Sequence, residues 1–411
     1  MNDFLENSDF QRILNDAEKI NQQKKRFSDI EDQEGNQYVD LVQEGGGVLG
    51  IALVGYTYIL EKLGIRFFSL AGTSAGAINT MMIAGLGPIH EPKSERILQV
   101  LSNKNLFDIV DGERPVRRLI QRAIRGESGI GWTIAFNARR LYRIVTQRLG
   151  LNPGDDFENW INSELEKVGI NTMGDLENLR ARLPKVRDIN GSDVSNLFPR
   201  LALIAADITT HSKIEFPRMT ELFYANPHEV KPSTLVRTSM SIPFFFEPVT
   251  ISNIPNGGDR QDAKWLQHCR YRGPVPHKVS FVDGGLLSNF PINVFHRSDG
   301  GVPRMPTFGA RLSTYRQSYS DVQGIRSMMG AMVSAMRQIY DYDFLLRNPD
   351  YSQLICHINA DKDFNWLDFE ISRTEQVKMF NHGAREAVKF LDGFDWDNYK
   401  ETRRQLAHVK G

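Results

Sequence analysis

The sequence predicts a three-layer α/β fold built around a central, mostly parallel sheet with a helical insertion. Two observations support this prediction. Between Tyr38 and Ala84, short apolar runs of strand character alternate with longer apolar runs of helix length, and glycines stand at the joins. Such an alternation is typical of parallel sheets with right-handed crossovers. The length of 411 residues fills one large domain of this kind or two ordinary domains.

The first segment, residues 1–36, is polar and charged, and we predict an N-terminal extension there. Phe10, Ile13, Leu14 and Ala17 follow helical spacing. We therefore expect a short amphipathic helix followed by a linker. The polar composition favours an appendage over a part of the core.

Residues 37–300 are predicted to form the main domain. Its expected strands are 38–42, 66–71, 201–207, 244–249 and 279–282. Its first two helices are expected at 51–63, which Gly64 would end, and at 77–84. Residues 88–200 have the character of helices and loops, and we predict a helical insertion or lid there. Residues 255–277, rich in proline, glycine and charge, are predicted as a surface insertion.

The remaining residues, 301–411, are predicted as a C-terminal helical part that packs on the same domain. Ser372 and Glu375 fit a capping box, in which a hydroxyl and a carboxylate bond to the first amides of a helix. The helix that they begin is expected to run to about Leu391.

Composition and charge exclude several classes of protein. The chain has 50 Lys and Arg against 50 Asp and Glu, so it lacks the basic excess that nucleic-acid binding requires, and we expect no nucleic-acid partner. Cys269 and Cys356 can form neither a disulfide framework nor a cysteine-based zinc site. No signal-peptide pattern and no apolar run of about 18 residues occur. We therefore expect a soluble, cytoplasmic protein.

The pentapeptide Gly72-Thr73-Ser74-Ala75-Gly76 has the pattern G-x-S-x-G. In a nucleophile elbow of this pattern, the serine lies on a strained turn between a strand and a helix, where only glycine fits beside it. An apolar strand precedes the motif and an apolar helix follows it, as the elbow requires. The start of that helix adds free amides and a positive dipole end. The pattern predicts a nucleophile at Ser74, and the alternative is a turn without chemistry.

The glycine cluster Gly45-Gly46-Gly47-Val48-Leu49-Gly50 fits two kinds of loop. It matches the G-x-G-x-x-G of dinucleotide-binding loops, which need an acidic residue about 20 positions later to hold a ribose. Residues 65–70 contain none. Three consecutive glycines suit instead a loop whose amides converge on an oxyanion. Since one helix and one strand separate the two glycine motifs, we expect them at the same edge of neighbouring parallel strands.

A serine nucleophile needs a base. Phe281-Val282-Asp283-Gly284-Gly285 places a carboxylate at the end of a predicted strand, before glycines that allow close approach of the backbone. The alternative is an ordinary Asp-Gly turn in a hairpin. None of the nine histidines stands in a comparably specific setting. These residues alone leave both a Ser–Asp pair and a Ser–His–Asp triad open.

Taken together and in this order, the segments 45–50, 72–76 and 283–285 resemble the motifs of the patatin-like phospholipase family. Further likeness over residues 38–300 lies at 206–210, 237–243, 247–249 and 289–291. Unlike most members of that family, which carry Arg or Lys before the last glycine of the first motif, this chain has Leu49. The glycine amides survive this change, although a lost charge can alter substrate preference.

The resemblance implies a catalytic dyad and no triad. Ser74 would attack the acyl carbonyl, Asp283 would take its proton, and the amides of Gly45, Gly46 and Gly47 would form the oxyanion hole. The remaining motif glycines are Gly50, Gly72, Gly76, Gly284 and Gly285. A free aspartate has a pKa near 3.9, so we expect a desolvated site that raises the pKa of Asp283.

The implied reaction is hydrolysis of fatty-acyl esters of membrane glycerophospholipids, of the phospholipase A type, through an acyl-enzyme. We expect no cofactor and no metal, because the chain has no H-E-x-x-H and no EF-hand pattern. Two alternatives stay open. One is a Ser–His–Asp carboxylesterase, and the other is a lipid-binding protein without turnover, which the absence of a basic residue at Leu49 keeps open.

Nine arginines and a single acid lie between Arg114 and Arg148, interleaved with apolar residues at helical spacing. One interpretation is a solvated helix pair whose arginines meet acids at 155–158. Another is a lid that presents Arg117, Arg118 and Arg122 to the anionic headgroups of a phospholipid membrane surface. The enzyme would then be peripheral at the inner membrane face. Binding of an anionic regulator is the third interpretation.

Overall fold

The computed structural model describes residues 1–124, 139, 142–144, 146–297, 301–314 and 319–410. Its helices are α1 Asn2–Leu5, α2 Ser8–Gln22, α3 Gly50–Lys62, α4 Ala75–Gly85, α5 Ser94–Ser102, α6 Arg114–Ile124, α7 Asp155–Glu166, α8 Met173–Arg180, α9 Pro232–Ser239, α10 Asp259–Cys269, α11 Ile325–Arg347, α12 Arg373–Gly393 and α13 Trp396–Lys410. Its strands are β1 Ile30–Asp32, β2 Gln37–Gln43, β3 Ile65–Thr73, β4 Gly150–Asn152, β5 Val186–Asp188, β6 Leu201–Asp207, β7 Ser212–Phe216, β8 Phe244–Phe246, β9 Val249–Ser252, β10 Lys278–Asp283, β11 Thr307–Arg311 and β12 Ile355–His357.

The centre of the molecule is a sheet in the order β12-β11-β2-β3-β6-β10-β9. The strands from β12 to β6 are parallel to one another, whereas β10 is antiparallel to both of its neighbours, β6 and β9. Strands β1 and β5 extend the sheet beyond its main path, and β7 pairs with β6. The predicted α/β fold with a mostly parallel central sheet is confirmed.

The register of four strands sets the position of the predicted site. Gln43 at the end of β2 pairs with Gly72 of β3, and Thr73 pairs with Ile204 of β6. On the same edge of β6, the next residue, Ala205, pairs with Asp283, the last residue of β10, because β7 occupies the other edge. The ends of β3 and β10 therefore meet along one edge of β6, which brings Ser74 and Asp283 close together.

Helix α3 is apolar on all sides and is buried from Ile51 to Glu61. It packs against α12 with the two backbones in contact, because a Cβ on Gly383 would overlap the Ala52 carbonyl and a Cβ on Gly55 would overlap the Phe380 carbonyl. The capping box of Ser372 and Glu375 begins α12, as predicted.

Residues 1–36 are part of the core, so the prediction of an appendage is wrong. Helix α2 is amphipathic as predicted, but its apolar face packs on α12 and α3. The Phe10 ring is fully buried, 5.4 Å from the Tyr58 ring and 5.1 Å from the Phe380 ring. The prediction failed because the partner helix, α12, lies at the other end of the chain.

The segment 88–200 contains helices α5 to α8, but also two short strands that the sequence did not suggest. Strand β4 pairs with β8, and β5 pairs with β1. Residues 125–138, the middle of the predicted lid, lie outside the described residues, as does Arg140. None of the described helices is long and apolar enough to traverse a membrane.

Two further predictions need correction. Residues 255–277 form more than a surface insertion, since they contain α10, whose Trp265 is buried against Phe223 with ring centroids 5.4 Å apart. The C-terminal part is not purely helical, because it supplies strands β11 and β12 to the central sheet.

Candidate active site

Ser74 lies on a strained turn between β3 and α4. Its backbone has φ 54° and ψ −120°, a conformation that residues other than glycine rarely adopt. The Ser74 N–H donates to Ser239 Oγ at 3.1 Å, and that hydroxyl donates to the Ile204 carbonyl at 2.6 Å. The Ser239 side chain thereby fastens the turn to strand β6. The Ser74 residue is 4% exposed.

The glycines that flank Ser74 are required by close backbone contacts. A Cβ on Gly72 would overlap the Gly76 carbonyl, and a Cβ on Gly76 would overlap the Gln43 carbonyl at the end of β2. Gly50 has slightly more room than these two glycines, since a Cβ there would lie 3.1 Å from Ala75 Cβ. These contacts are the physical reason for the G-x-S-x-G pattern in this chain.

Asp283 ends β10 and is 7% exposed. The Gly285 N–H donates to its Oδ1 at 2.7 Å. Gly284 allows the strand end to lie directly on β6, because a Cβ there would overlap the Ile204 carbonyl. A Cβ on Gly285 would lie 2.8 Å from Asp283 Oδ1, so both glycines are needed beside the carboxylate.

Burial raises the pKa of the Asp283 carboxyl, as predicted. The Ser74 hydroxyl, the positive charge of Arg337 and the Gly285 N–H oppose this rise. The Ser74 hydroxyl thus interacts with the carboxyl, although Oδ2 has no partner of strict hydrogen-bond geometry in the described ranges. Such contacts are often loose in ligand-free sites and tighten when substrate binds.

The glycine loop lies against Ser74, since a Cβ on Gly45 would be 3.0 Å from Ser74 Cβ. The Gly45 N–H already donates to the Asn289 carbonyl at 3.0 Å, so its predicted place in an oxyanion hole is wrong. The amides of Gly46 and Gly47 donate to no acceptor among the described residues. Gly47 has φ +55°, and a Cβ there would overlap the Trp366 carbonyl.

Asn289, which the sequence analysis placed in the segment 289–291 without giving it a role, connects the loop to the rest of the site. Its Nδ2 donates to Glu44 Oε1 at 3.2 Å and to the Gly45 carbonyl at 3.0 Å. Its Oδ1 accepts from Arg337 Nη2 at 3.0 Å. Because Asn289 follows Asp283 closely in the sequence, a role for it in the site could have been predicted. No local pattern points to Arg337, which comes from the remote helix α11.

Four of the histidine side chains that the structure describes have other partners. His382 bonds to the Ile358 carbonyl, His296 to the Tyr351 hydroxyl, His228 to Glu177 and His268 to Glu221. In these parts of the chain, no hydrogen bond joins a histidine to Ser74 or Asp283. Nor do three or more His, Cys, Asp or Glu side chains converge there as a metal site would require.

An apolar cavity of about 580 Å³ opens beside the glycine loop and the start of α4. It lies among α3, α4 and α5 and is bounded by Gly47, Ala75, Ile51, Met82, Leu101 and Trp160. Because Ala75 follows Ser74 in the chain and lines the cavity, one end of the cavity lies beside the turn that carries the serine.

A second cavity, of about 830 Å³, lies on the other side of the same loop. Its walls are mostly polar, and they include Gly45, Gly46, Asn289, Arg311 and Arg337. Leu49, which stands where the resemblance predicts a basic residue, also lines it. The glycine loop therefore separates an apolar cavity from a polar one.

The three arginines predicted to contact a membrane or an anion lie on α6, away from Ser74. The Arg117 guanidinium lies 5.0 Å from the Phe107 ring, and Phe107 belongs to the turn whose Leu106 and Ile109 line the apolar cavity. Arg118 is exposed. Within the described ranges, neither Arg117 nor Arg118 forms an ion pair with a carboxylate. Arg122 is half-buried.

Comparison with known proteins gives one family. The family model described as patatin-like phospholipase matches residues 41–296. The uncharacterized protein YqhO of Bacillus subtilis (strain 168) is 30% identical over 359 residues, which cover 86% of this chain and 98% of that protein.

Two solved structures are also similar in part. VipD from Legionella pneumophila has a TM-score of 0.36 and 17% identity, and the match covers 90% of this chain and 70% of VipD. The heterodimeric complex ExoU–SpcU from the type III secretion system of Pseudomonas aeruginosa has a TM-score of 0.33 and 15% identity. The match covers 86% of this chain and 51% of the chain in that structure.

Proposed function

Because the chain belongs to the patatin-like phospholipase family, whose activity is hydrolysis of lipid esters, we propose that Ser74 and Asp283 form a catalytic dyad. The proposed substrates are fatty-acyl esters of membrane glycerophospholipids. The observation that carries the proposal is the buried Asp283 carboxyl, whose pKa burial raises and the Ser74 hydroxyl lowers, beside the Gly46 and Gly47 amides, which have no acceptor among the described residues.

The reaction would proceed in two steps. Asp283 takes the hydroxyl proton while Ser74 Oγ attacks the carbonyl carbon, and the oxyanion accepts hydrogen bonds from the Gly46 and Gly47 amides. The first amides of α4 add a third donor and a positive dipole end. Collapse expels the lysolipid alcohol, which takes the proton from Asp283. Water then loses a proton to Asp283 and attacks the acyl-serine, and the collapse releases the fatty acid while Ser74 Oγ takes the proton back from Asp283.

The apolar cavity supports a fatty-acyl substrate. It begins at Ala75 and Gly47, where the ester carbon must lie for attack by Ser74, and its walls are almost entirely hydrocarbon. Burial of each methylene of an acyl chain contributes roughly 0.8 kcal/mol. A long chain is therefore favoured over a short one.

The proposal includes contact with a phospholipid membrane surface. Helix α11, which carries Arg337, exposes apolar side chains at Met328, Met332, Met336 and Ile339. Their spacing places them along one side of the helix. This stripe, together with exposed Arg118 on α6, supports a peripheral protein that meets its substrate at the bilayer surface.

The proposal is tested with the full chain and phosphatidylglycerol vesicles, by measuring released fatty acid. Ser74→Ala and Asp283→Asn should each lower the rate by about 10⁴-fold or more. Ser195→Ala, a change at an exposed serine, should leave the rate unchanged. A fluorophosphonate probe should label the wild type and not Ser74→Ala.

Other outcomes point to the alternatives. Labelling that persists in Ser74→Ala would contradict the dyad. Vesicle binding without fatty-acid release or labelling by the wild type would identify a lipid-binding protein without turnover. A loss of similar size in His357→Ala or His382→Ala would favour a Ser–His–Asp carboxylesterase.

A further inference from the structure

We propose that the polar cavity beside the glycine loop is an anion subsite in which Arg337 holds the phosphate of the lipid headgroup. This inference rests on the proposed function, because it assigns the part of the substrate that leaves with the alcohol. It adds a specificity-determining residue outside the dyad and names the group of the substrate that this residue holds.

Arg337 has hydrogen-bonding capacity that the protein uses only in part. A guanidinium has five N–H donors in a planar fork. Arg337 Nη2 donates to Asn289 Oδ1 at 3.0 Å, and the guanidinium carbon lies 5.7 Å from the centre of the Trp366 ring. Across the described ranges, no carboxylate forms an ion pair with Arg337. The half-buried side chain is thus held in place in the cavity wall without being neutralised.

The carboxylates around the cavity are engaged by donors of the protein. Glu44 accepts from the amides of Leu312 and Ser313 at 2.6 and 2.7 Å and from the Ser313 hydroxyl at 2.6 Å. Its Oε1 also lies 3.9 Å from Arg311 Nε. Glu44 and Arg311 therefore form a buried pair of opposite charge within the wall.

The other two acids are also satisfied. Asp341 accepts from the Ser288 hydroxyl at 2.9 Å and from the Phe290 amide at 2.8 Å, and burial raises the pKa of Asp341 to about 7. Asp361 accepts from the Thr314 amide at 2.8 Å and from the Thr314 hydroxyl at 2.6 Å. Of the two arginines in the wall, Arg337 is the one that has no carboxylate within ion-pair distance among the described residues.

The position of the cavity matches the shape of a glycerophospholipid. Gly45 and Gly46 line the polar cavity, whereas Gly47 and Ala75 line the apolar one. An ester carbonyl at the glycine loop therefore has its acyl chain on one side and its glycerol and phosphate on the other. Since Leu49 brings no charge to the polar side, the cation that meets the phosphate comes from α11.

The test compares two substrates with the same acyl chains in mixed micelles, phosphatidylglycerol and uncharged diacylglycerol. Arg337→Gln should lower kcat/KM for phosphatidylglycerol by about 10- to 100-fold more than for diacylglycerol, the loss expected for a hydrogen bond to a charged group. Arg337→Lys should restore part of that selectivity. Arg347→Gln, at an exposed arginine of the same helix paired with Asp343, should leave the selectivity unchanged.

An equal loss on both substrates would overturn the subsite, since Arg337 would then act only through Asp283. Binding gives a readout that needs no turnover: glycerol 3-phosphate should raise the Tm of the wild type and not of Arg337→Gln. If the wild type shows this shift but hydrolyses no lipid, the proposed function fails and the subsite stands. If inorganic phosphate shifts Tm through Arg337 while the lipid selectivity is unaffected, the site takes free phosphate and the headgroup assignment is overturned.

Discussion

The proton affinity of one carboxylate is central to the proposed chemistry. An aspartate in water is a weak base for a serine hydroxyl, because its pKa is near 3.9. Burial raises the pKa of Asp283, while the Ser74 hydroxyl and the charge of Arg337 restrain the rise. The side chain of Arg337 is therefore coupled both to the base and to the polar cavity.

This coupling predicts a pH dependence. Only the ionised carboxylate can accept the proton, so kcat/KM for a soluble short-chain ester should fall as the pH drops through the pKa of Asp283. Because burial raises that pKa, the acid limb should lie above 3.8. Arg337→Gln should shift the limb to higher pH, since it removes the charge that lowers the pKa. A limb at or below 3.8, or a shift in the other direction, contradicts the role given to Asp283.

The sequence allowed Ser74 and Asp283 to be selected because each stands in a local pattern with glycines that close backbone contacts require. The role of Gly45 could not be predicted in the same way. Its amide is taken by the Asn289 carbonyl, and that contact depends on how two distant loops meet. Arg337 was beyond prediction for the same reason, since it approaches Asp283 from a separate helix.

Among the elements, the contact between α3 and α12 depends most on glycine. Gly55 and Gly383 bring the two helical backbones together without side chains between them. Close-packed interiors tolerate added atoms poorly, and here the obstructing atoms are backbone carbonyls, which cannot rotate away.

Gly383→Ala should therefore lower the free energy of unfolding by about 1–3 kcal/mol or more. Gly393→Ala provides the matched control in the same helix, since its new methyl group would meet nothing within 4 Å. That change should be neutral or slightly stabilising, because alanine favours helix. Urea denaturation of both variants measures the difference. Equal stability of the two would mean that the helices are not in backbone contact.

Elements with long apolar patterns were predictable, as the agreement at β2, β3, β6, α3 and α4 illustrates. Strands β4, β5 and β12, of three residues each, carry too little pattern to be recognised. Each exists because a partner strand elsewhere supplies the hydrogen bonds. Helix α10 was missed because its few apolar residues, such as Trp265, are separated by charged ones.

At the scale of the whole molecule, the two ends of the described chain pack together. The Phe4 and Phe10 rings from the first helices lie 5.4 and 5.1 Å from the ring of Phe380 in α12. The Lys400 ammonium donates to Asp29 Oδ1 at 2.9 Å. The polar composition of residues 1–36 concealed this packing, because a single apolar stripe is enough to seat an amphipathic helix.

Phe10→Ala should destabilise the entire protein by about 3–5 kcal/mol, the cost of removing a buried phenyl ring. Arg12→Ala changes an exposed residue on the same helix and should alter stability by less than about 0.5 kcal/mol. Differential scanning calorimetry would show a single transition at lower Tm for Phe10→Ala. A transition at the wild-type Tm would mean that residues 1–36 do form an appendage.

The place of β11 in the sheet has a consequence for the order of synthesis. Strand β2 carries the glycine loop at its end and lies between β3 and β11, and β11 belongs to the last quarter of this chain. A nascent polypeptide that has emerged from the ribosome only as far as Asp283 holds both reacting side chains but not the strand that completes β2. The proposed site is therefore complete only after translation has passed β11.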